Sequence, residues 1–149
     1  MNTGDKAPDF TLTDETGQQR SLSGLLEAGP VVLYFYPAAM TSGCTAESCH
    51  FRDLAAEFTA LGAQRVGISP DPVAKQARFS ERHSFDFPLL SDPDGAVARQ
   101  FGVRRSLGPL ATKRQTFVIA TDRTVLDIIK SEFRMSVHAD KALDVLRSR

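Results

Sequence analysis

Two cysteines, Cys44 and Cys49, are the residues of this chain best suited to covalent chemistry, and the sequence contains no other thiol. Apolar β-forming residues at positions 31–36 predict a buried strand, and an amphipathic helical pattern begins at Thr41 or Ser42. Cys44 is therefore expected in the first turn of a helix. Backbone N–H groups without intrahelical partners and the helix dipole favour negative charge in that turn. They favour the thiolate, the form of cysteine that attacks electrophiles.

Thr41 is the predicted N-cap of this helix, which makes Ser42 its first residue and Cys44 its third. An N-cap hydroxyl normally accepts a hydrogen bond from the backbone N–H of the second or third helical residue. We therefore expect the Thr41 hydroxyl both to cap the helix and to touch the Cys44 sulfur.

The spacing of the two cysteines places them on different faces of the predicted helix. At roughly 100° per residue, Cys49 lies about 140° around the axis from Cys44. A rise of about 1.5 Å per residue puts their Cα atoms about 8.6 Å apart, beyond the roughly 7 Å limit for a disulfide. A bridge between them therefore requires the first turns to unwind. The same divergence disfavours a zinc site formed by Cys44, Cys49 and His50.

Length and charge limit the classes of function. A chain of 149 residues fits one domain over residues 1–149, with a core large enough to fold without disulfides or metals. Eighteen basic residues balance eighteen acidic ones. This balance supplies no electric field that would recruit nucleic acid or an anionic membrane, so we expect small, weakly charged partners.

The N-terminus and the cysteine content predict the cellular compartment. The first ten residues, MNTGDKAPDF, lack the basic and apolar segments of a secretory signal, and the longest apolar run is about half of a membrane span. We expect a soluble cytoplasmic protein with no nucleic-acid or membrane partner. In a reducing compartment a cysteine pair is catalytic, redox-active or part of the core, and all three interpretations stay open at this point.

The hydrophobic pattern predicts alternating strands and helices after an N-terminal hairpin. The predicted strands cover residues 10–12, 19–22, 31–36, 65–69, 88–90, 115–120 and 125–131. The predicted helices cover residues 42–61, 72–83, 96–101 and 139–147, with Asp71 as the start signal of the second and an irregular stretch at 102–113. This order predicts an α/β fold in which a mixed sheet carries helices on both faces.

Several segments together resemble the peroxiredoxins, in particular the bacterioferritin comigratory protein or PrxQ-type subfamily. A strand, a proline, the pattern TxxC at a helix start and then CTxExC are present in FYPAAMTSGCTAESCHFRDL. Four further segments stand in the expected order: GDKAPDFTLTDETG, VGISPDP, FPLLSDPDG and RQTFVI. The resemblance covers essentially the whole chain.

The resemblance implies a thioredoxin-like fold of the peroxiredoxin type and a thiol peroxidase activity. Cys44 matches the peroxidatic cysteine and Cys49 the resolving cysteine, and the two close a disulfide during the reaction. Pro37, Thr41 and Arg114 match the other parts of the family's active site. Thioredoxin or a similar dithiol is the implied reductant, and no metal, haem or flavin is required.

The residues themselves also suggest how such a site would react. A thiolate that attacks one oxygen of a peroxide displaces the other as hydroxide or alkoxide, so donors must stabilise charge that moves along the O–O axis. The backbone N–H groups of Gly43 and Cys44, the Thr41 hydroxyl and a guanidinium, which the resemblance assigns to Arg114, are suitable donors. Glu47, one turn after the cysteine, is interpreted as a supporting residue, although a glutamate near a helix start also has an ordinary dipole explanation.

Two departures from the family pattern lie beside Cys44. The segment Ala38-Ala39-Met40 replaces the more usual Lys-Asp pair and the residue after it, and Ser42 replaces a proline. The first change makes the rim more apolar and leaves the choice between hydrogen peroxide and organic hydroperoxides open. The second should loosen the first turn, because proline fixes φ there. We therefore expect easier unwinding and faster disulfide formation.

Other functions are compatible with two cysteines on one helix. A thioredoxin-type thiol-disulfide oxidoreductase normally carries CxxC in the first turn, whereas the spacing here is CxxxxC. A non-enzymatic redox switch or binding module, in which oxidation of the cysteines unwinds the helix, is distinguished by a slow reaction with peroxide. His50, His83 and His138 are dispersed, and surface or helix polar contacts are expected of them. A monomer is expected, with a weak homodimer as the alternative.

Overall fold

Seven strands form one mixed sheet within residues 1–105 and 112–149, the parts of the chain that the computed structural model describes. They are β1 (Thr11–Asp14), β2 (Gln19–Ser21), β3 (Val31–Phe35), β4 (Gln64–Ser69), β5 (Leu89–Ser91), β6 (Gln115–Ile119) and β7 (Val125–Lys130). Their spatial order is β2-β1-β5-β4-β3-β6-β7. The strands β3, β4 and β5 run parallel, and the other neighbours pair antiparallel.

The helices lie on both faces of this sheet. In the described ranges they are α1 (Leu22–Leu26), α2 (Ser42–Asp53), α3 (Ala55–Ala60), α4 (Val73–His83), α5 (Ala96–Gln100) and α6 (Ser136–Arg147). Side chains of α1 and α5 pack into one hydrophobic cluster, and side chains of α2, α3, α4 and α6 pack into the other. The predicted mixed sheet with helices on both faces and an N-terminal hairpin is confirmed.

The central strand β3 explains why both clusters form. All five of its residues are buried, which is the burial expected for a strand covered by helices on both faces. Successive side chains of a strand point to opposite faces. Accordingly Leu33 and Phe35 enter the cluster of α1 and α5, whereas Val32 and Tyr34 enter the other cluster. The segment that leads to Cys44 therefore begins at the end of a strand that is buried on both faces.

The helix predicted over residues 42–61 is two helices, because α2 ends at Asp53 and α3 begins at Ala55. Leu54 between them has φ −98° and ψ 22°, which departs from helical geometry. Arg65 provides a physical reason: its Nη1 donates to the Phe51 carbonyl at 3.0 Å, the carbonyl that the Ala55 N–H would bind in a continuous helix. This contact comes from a distant strand, so the local pattern could not predict it.

Most predicted strand and helix bounds are shifted by one or two residues, and further differences concern the helices α4, α6 and α1. The N-cap of α4 is Pro72, and the Asp71 carboxylate instead accepts the backbone N–H of Ala39 at 2.6 Å. The last helix starts at Ser136, three residues before the predicted start. The short helix α1 was not predicted, although its N-cap, Ser21, accepts the N–H of Gly24 in the usual capping arrangement.

Part of the predicted irregular stretch at 102–113 lies outside the described residues, since 106–111 are not among them. On either side of that gap, Arg104 and Thr112 form an isolated antiparallel bridge. Among the helices of the described ranges, none combines the length and the apolar character that a membrane crossing needs.

Candidate active site

The segment between β3 and α2 is held from both ends. Pro37 is buried two residues after the end of β3, and the N–H of the intervening Tyr36 donates to the Ile68 carbonyl at 3.0 Å. Ala39 is tied to Asp71, whose Oδ2 also accepts the Ser69 hydroxyl at 2.7 Å. These bonds fix the direction in which the chain enters α2.

Cys44 lies where the sequence pattern predicts it, as the third residue of α2 with Thr41 as the N-cap. The first intrahelical bond runs from the Thr45 N–H to the Thr41 carbonyl at 2.9 Å. The N–H groups of Ser42, Gly43 and Cys44 therefore precede the hydrogen-bond ladder and point out of the helix start. The Cys44 side chain is 0% exposed, so its sulfur lies in a desolvated environment at a helix N-terminus.

The expected double role of Thr41 is wrong in this structure. Its side chain makes no capping bond, and its hydroxyl donates to the Ala38 carbonyl at 2.8 Å. No hydrogen bond joins the Thr41 hydroxyl to the Cys44 sulfur among the described residues. The cause is the turn before α2, in which Met40 has a φ of 67° and brings the Ala38 carbonyl back toward Thr41.

Arg114 directly precedes β6, and its side chain reaches the Cys44 sulfur. The register of β3 and β6 pairs Phe35 with Gln115, so Arg114 lies beside the point where β3 leads into the Cys44 segment. The guanidinium Nη2 donates to Cys44 Sγ at 3.3 Å, and Nη1 donates to Glu47 Oε1 at 2.6 Å. The backbone N–H of Arg114 donates to Glu132 Oε2 at 3.1 Å, which holds this residue in place.

Glu47 and Arg114 form a buried hydrogen-bonded pair beside the cysteine. Burial raises the pKa of the Glu47 carboxyl from 4.5 to about 8, although Arg114 opposes this shift. Burial acts to lower the pKa of Arg114, but the charges of Glu47 and Cys44 outweigh it and keep that pKa above its ordinary value. The guanidinium thus stays charged. A favourable interaction with the helix dipole does not suffice to explain Glu47, because its side chain is fully buried and contacts Arg114.

Cys49 lies in the same helix but has different surroundings. Both cysteines are free, and Cys49 is partly exposed. Burial raises the pKa of its thiol, with Arg52 acting in the opposite direction. Its neighbour Ser48 is buried and accepts the Tyr34 hydroxyl at 2.8 Å, a bond that fastens this part of α2 to the sheet.

His138 is the residue that the sequence reasoning missed. Its imidazole is completely buried, with Nδ1 at 2.8 Å from Thr116 Oγ1 and at 3.6 Å from Glu47 Oε2. A usable signal was present, because His138 shares one face of α6 with Ala142 and Leu146, which are both buried. A polar residue on an apolar helical face requires a buried partner.

The structure thus brings Cys44, Gly43, Glu47 and Arg114 together, and it leaves the Thr41 hydroxyl directed elsewhere. Gly43 packs closely against Arg114 and Met135. A β-carbon at position 43 would lie 3.3 Å from Arg114 Nη2 and 3.5 Å from Met135 Cε. In the part of the chain that the structure describes, no three His, Cys, Asp or Glu side chains are placed to hold a metal ion.

Comparison with known proteins decides the family. The sequence model of the AhpC/TSA family matches residues 3–128, most of the chain. The chain belongs to the AhpC/TSA family. Among its relatives in this family, a protein from Mycobacterium tuberculosis that is named as a peroxiredoxin is 65% identical over 150 residues, which cover 99% of this chain and 97% of the relative.

Solved structures of similar proteins agree with this assignment. A crystal structure of peroxidoxin BcpB from Mycobacterium tuberculosis superposes with a TM-score of 0.96 at 63% identity, covering 99% of this chain and 97% of that one. The bacterioferritin comigratory protein of Xanthomonas campestris, studied for its alkyl peroxide reduction, superposes with a TM-score of 0.86 at 32% identity, covering 93% and 90%. The resemblance to peroxiredoxins of the bacterioferritin comigratory and PrxQ type is confirmed, and with it the thioredoxin-like fold and the thiol peroxidase activity.

Proposed function

We propose that this chain is an atypical two-cysteine peroxidase in which Cys44 attacks the peroxide and Cys49 resolves the product. The substrate is hydrogen peroxide or an organic hydroperoxide, and thioredoxin or a similar dithiol regenerates the enzyme. The observation that carries the proposal is the 3.3 Å hydrogen bond from Arg114 to the Cys44 sulfur at the start of a helix. A guanidinium and free N–H groups around one buried sulfur stabilise a thiolate.

The first step is an attack of the thiolate on one peroxide oxygen. The sulfur–oxygen bond forms while the O–O bond breaks, and the second oxygen leaves as hydroxide or alkoxide, which takes a proton from solvent. The donors available for this charge are the N–H groups of Gly43 and Cys44 and the fork of Arg114, which act best when they are fixed beforehand. Pro37, which has no N–H, borders the site without offering a competing donor. Because Cys44 is fully buried, the peroxide must displace a neighbour such as Met135, which lies against Gly43.

The second step joins the two sulfurs. Cys44 is now a sulfenic acid, which condenses with the Cys49 thiol to give a disulfide and one water. Both residues lie within the folded helix α2, so its first turns must unwind before the sulfurs can meet. The break at Leu54 separates α2 from α3, which confines this rearrangement to the 12 residues of α2. An external dithiol then reduces the disulfide by exchange.

Intact mass measured at intervals after one equivalent of hydrogen peroxide tests this cycle. The reduced wild-type chain should lose two hydrogens rapidly, Cys44→Ser should not change, and Cys49→Ser should gain one oxygen. Addition of a reduced thioredoxin should then restore the original mass of the wild type. Slow oxidation of all three proteins would contradict the proposal and favour a structural or signalling role for the cysteines.

A further inference from the structure

The buried carboxylate of Glu47 has one oxygen in use and one without a donor. Oε1 accepts from Arg114, whereas Oε2 has no hydrogen-bond partner among the described residues. A buried, charged oxygen without a donor is costly. The nearest polar ring atom is Nδ1 of His138, at 3.6 Å.

The hydrogen bonds of His138 determine where its protons lie. Nε2 is 2.8 Å from the Ser131 carbonyl, which can only accept, so Nε2 carries a hydrogen. In a neutral imidazole, Nδ1 then has a lone pair, which accepts the Thr116 hydroxyl at 2.8 Å. Facing it, an ionised Glu47 would place a charged oxygen against this lone pair with no hydrogen between them.

One additional proton removes this conflict. It lies either on Glu47 Oε2, directed at Nδ1, or on Nδ1, directed at Thr116 and Glu47. Burial raises the pKa of Glu47, and burial together with Arg114 lowers the pKa of His138, so the carboxyl is the favoured position. In both arrangements the pair of Glu47 and His138 is neutral as a whole.

We propose that His138 is a positioning residue for the reactive thiolate: with Glu47 it holds one proton, so that Arg114 balances Cys44 and no second negative charge. This inference rests on Cys44 being the attacking thiolate. Without the proton, one guanidinium would face two buried anions, and the thiolate would be less favourable. His138 contacts no reacting atom and acts through Glu47 and Arg114.

The other titratable groups around Glu47 and His138 supply no positive charge that would neutralise Glu47 in place of this proton. On the segment before α6, Glu132 adds negative charge near both groups and is itself paired with Arg105 at 3.1 Å. From β3, Tyr34 is kept neutral because burial raises its pKa well above the usual value. Arg114 is therefore the cation that Glu47 and Cys44 share within the described residues.

The test follows the ionisation of Cys44 by thiolate absorbance at 240 nm against pH, in a Cys49→Ser chain with Cys44 as its only thiol. His138→Phe fills the space of the imidazole ring but offers no acceptor for a proton on Glu47. The carboxyl of Glu47 should therefore stay ionised down to a lower pH than in the parent. The ionisation midpoint of Cys44 should rise by about one pH unit, roughly tenfold less thiolate at a given pH below it. His50→Asn is the control, because His50 joins α2 to Asp140 of α6 at 2.8 Å without facing the pair.

A second substitution separates charge from packing. Glu47→Gln in the His138→Phe chain removes the second negative charge and should return the midpoint close to that of the parent. A midpoint that His138→Phe does not move, or that Glu47→Gln does not restore, overturns the proposal. Purely structural damage by His138→Phe would give the latter result.

Titration of the His138 imidazole by NMR, in chains that retain His138, tests the proposal even if His138→Phe does not fold. Linkage is reciprocal, so the thiolate must raise the pH at which the pair loses its proton. The histidine ring resonances of His138 should therefore change at lower pH in Cys44→Ser, and an unchanged titration overturns the proposal. The peroxide reaction of Cys49→Ser, measured by mass, tests the proposed role of Cys44 as the attacking thiolate separately.

Discussion

The two cysteines of α2 differ in almost every property of their surroundings. Cys44 is fully buried and accepts a hydrogen bond from Arg114 at 3.3 Å. Cys49 is partly exposed, no described donor reaches its sulfur, and burial raises the pKa of its thiol. In the proposed cycle, the Cys44 sulfur is therefore preorganised for attack, whereas the Cys49 sulfur reacts only after it has moved.

The first turns and the middle of α2 also differ in the elements that they contact. The first turns contact Arg114, which directly precedes β6, and His138 of α6, whereas the middle of the helix is attached to β3 by the Tyr34–Ser48 bond. In the proposed cycle, the contacts of Arg114 and His138 support the attack, whereas the Tyr34–Ser48 bond resists the unwinding that the disulfide requires. Substitutions on the two sides should therefore affect different steps, and this difference can be measured.

The largest effect is expected at Arg114. Arg114→Lys retains a positive charge but loses the planar fork that bonds Cys44 and Glu47 together. The rate of peroxide reduction should fall by about a hundredfold, which is typical of losing one preorganised donor. Stopped-flow measurement of sulfenic acid formation in a Cys49→Ser background provides the rate. Arg99→Lys, on an exposed arginine of α5, is the control, and equal rates for both variants would contradict the assignment.

Glu47 should make the stability of the fold depend on pH. Its folded pKa, about 8, lies above the ordinary 4.5, so the stabilisation is present below about pH 4.5 and is lost as the pH rises toward 8. The unfolding constant of the wild type, relative to Glu47→Gln, should increase by up to about tenfold per pH unit across this interval. Urea unfolding of both proteins at pH 5 and pH 8 measures it. A constant difference between the two would show that Glu47 is already ionised at low pH in the folded state.

A smaller effect is expected on the side of Cys49. Tyr34→Phe removes the donor to Ser48, and a buried hydrogen bond of this kind contributes about 1 kcal/mol. Disulfide formation should become about fivefold faster, because the folded helix loses that stabilisation and unwinds more readily. Tyr36→Phe is the matched control: its hydroxyl donates to Gln76 of α4, so stability should fall without faster disulfide formation. Quenched-flow mass spectrometry distinguishes the two, and equal acceleration in both would point to general destabilisation.

The smallest effect is expected at Ser42, the first residue of α2. Ser42→Pro preorganises the first turn and stabilises the folded helix by about 0.4–1 kcal/mol. Disulfide formation should slow by about two- to fivefold, while sulfenic acid formation is unchanged. Ser42→Ala removes the hydroxyl without adding the ring and should resolve at the wild-type rate. If Ser42→Pro resolves as fast as Ser42→Ala, the first turn does not limit unwinding.

Much of the site was predictable because its signals are local. The buried strand, the proline and the capped helix start place Cys44 correctly, since each depends on residues within one or two turns. Arg114 could be named only through its match to a family motif, because nothing near it in the chain indicates a buried role. The break at Leu54 and the use of Asp71 by Ala39 could not be read from the pattern, since both depend on contacts across the fold.

By itself, the sequence determined the order of strands and helices and the first-turn position of Cys44, because periodicity and capping act between neighbours. Only the tertiary structure decided what surrounds that sulfur. Arg114 is 67 residues from Glu47 and 70 from Cys44, and His138 meets Thr116 across 22 residues. The register of β3 with β6 and the packing of α6 against α2 bring these groups together. The resulting charge balance exists only in the folded chain, where burial makes each ion depend on its neighbours.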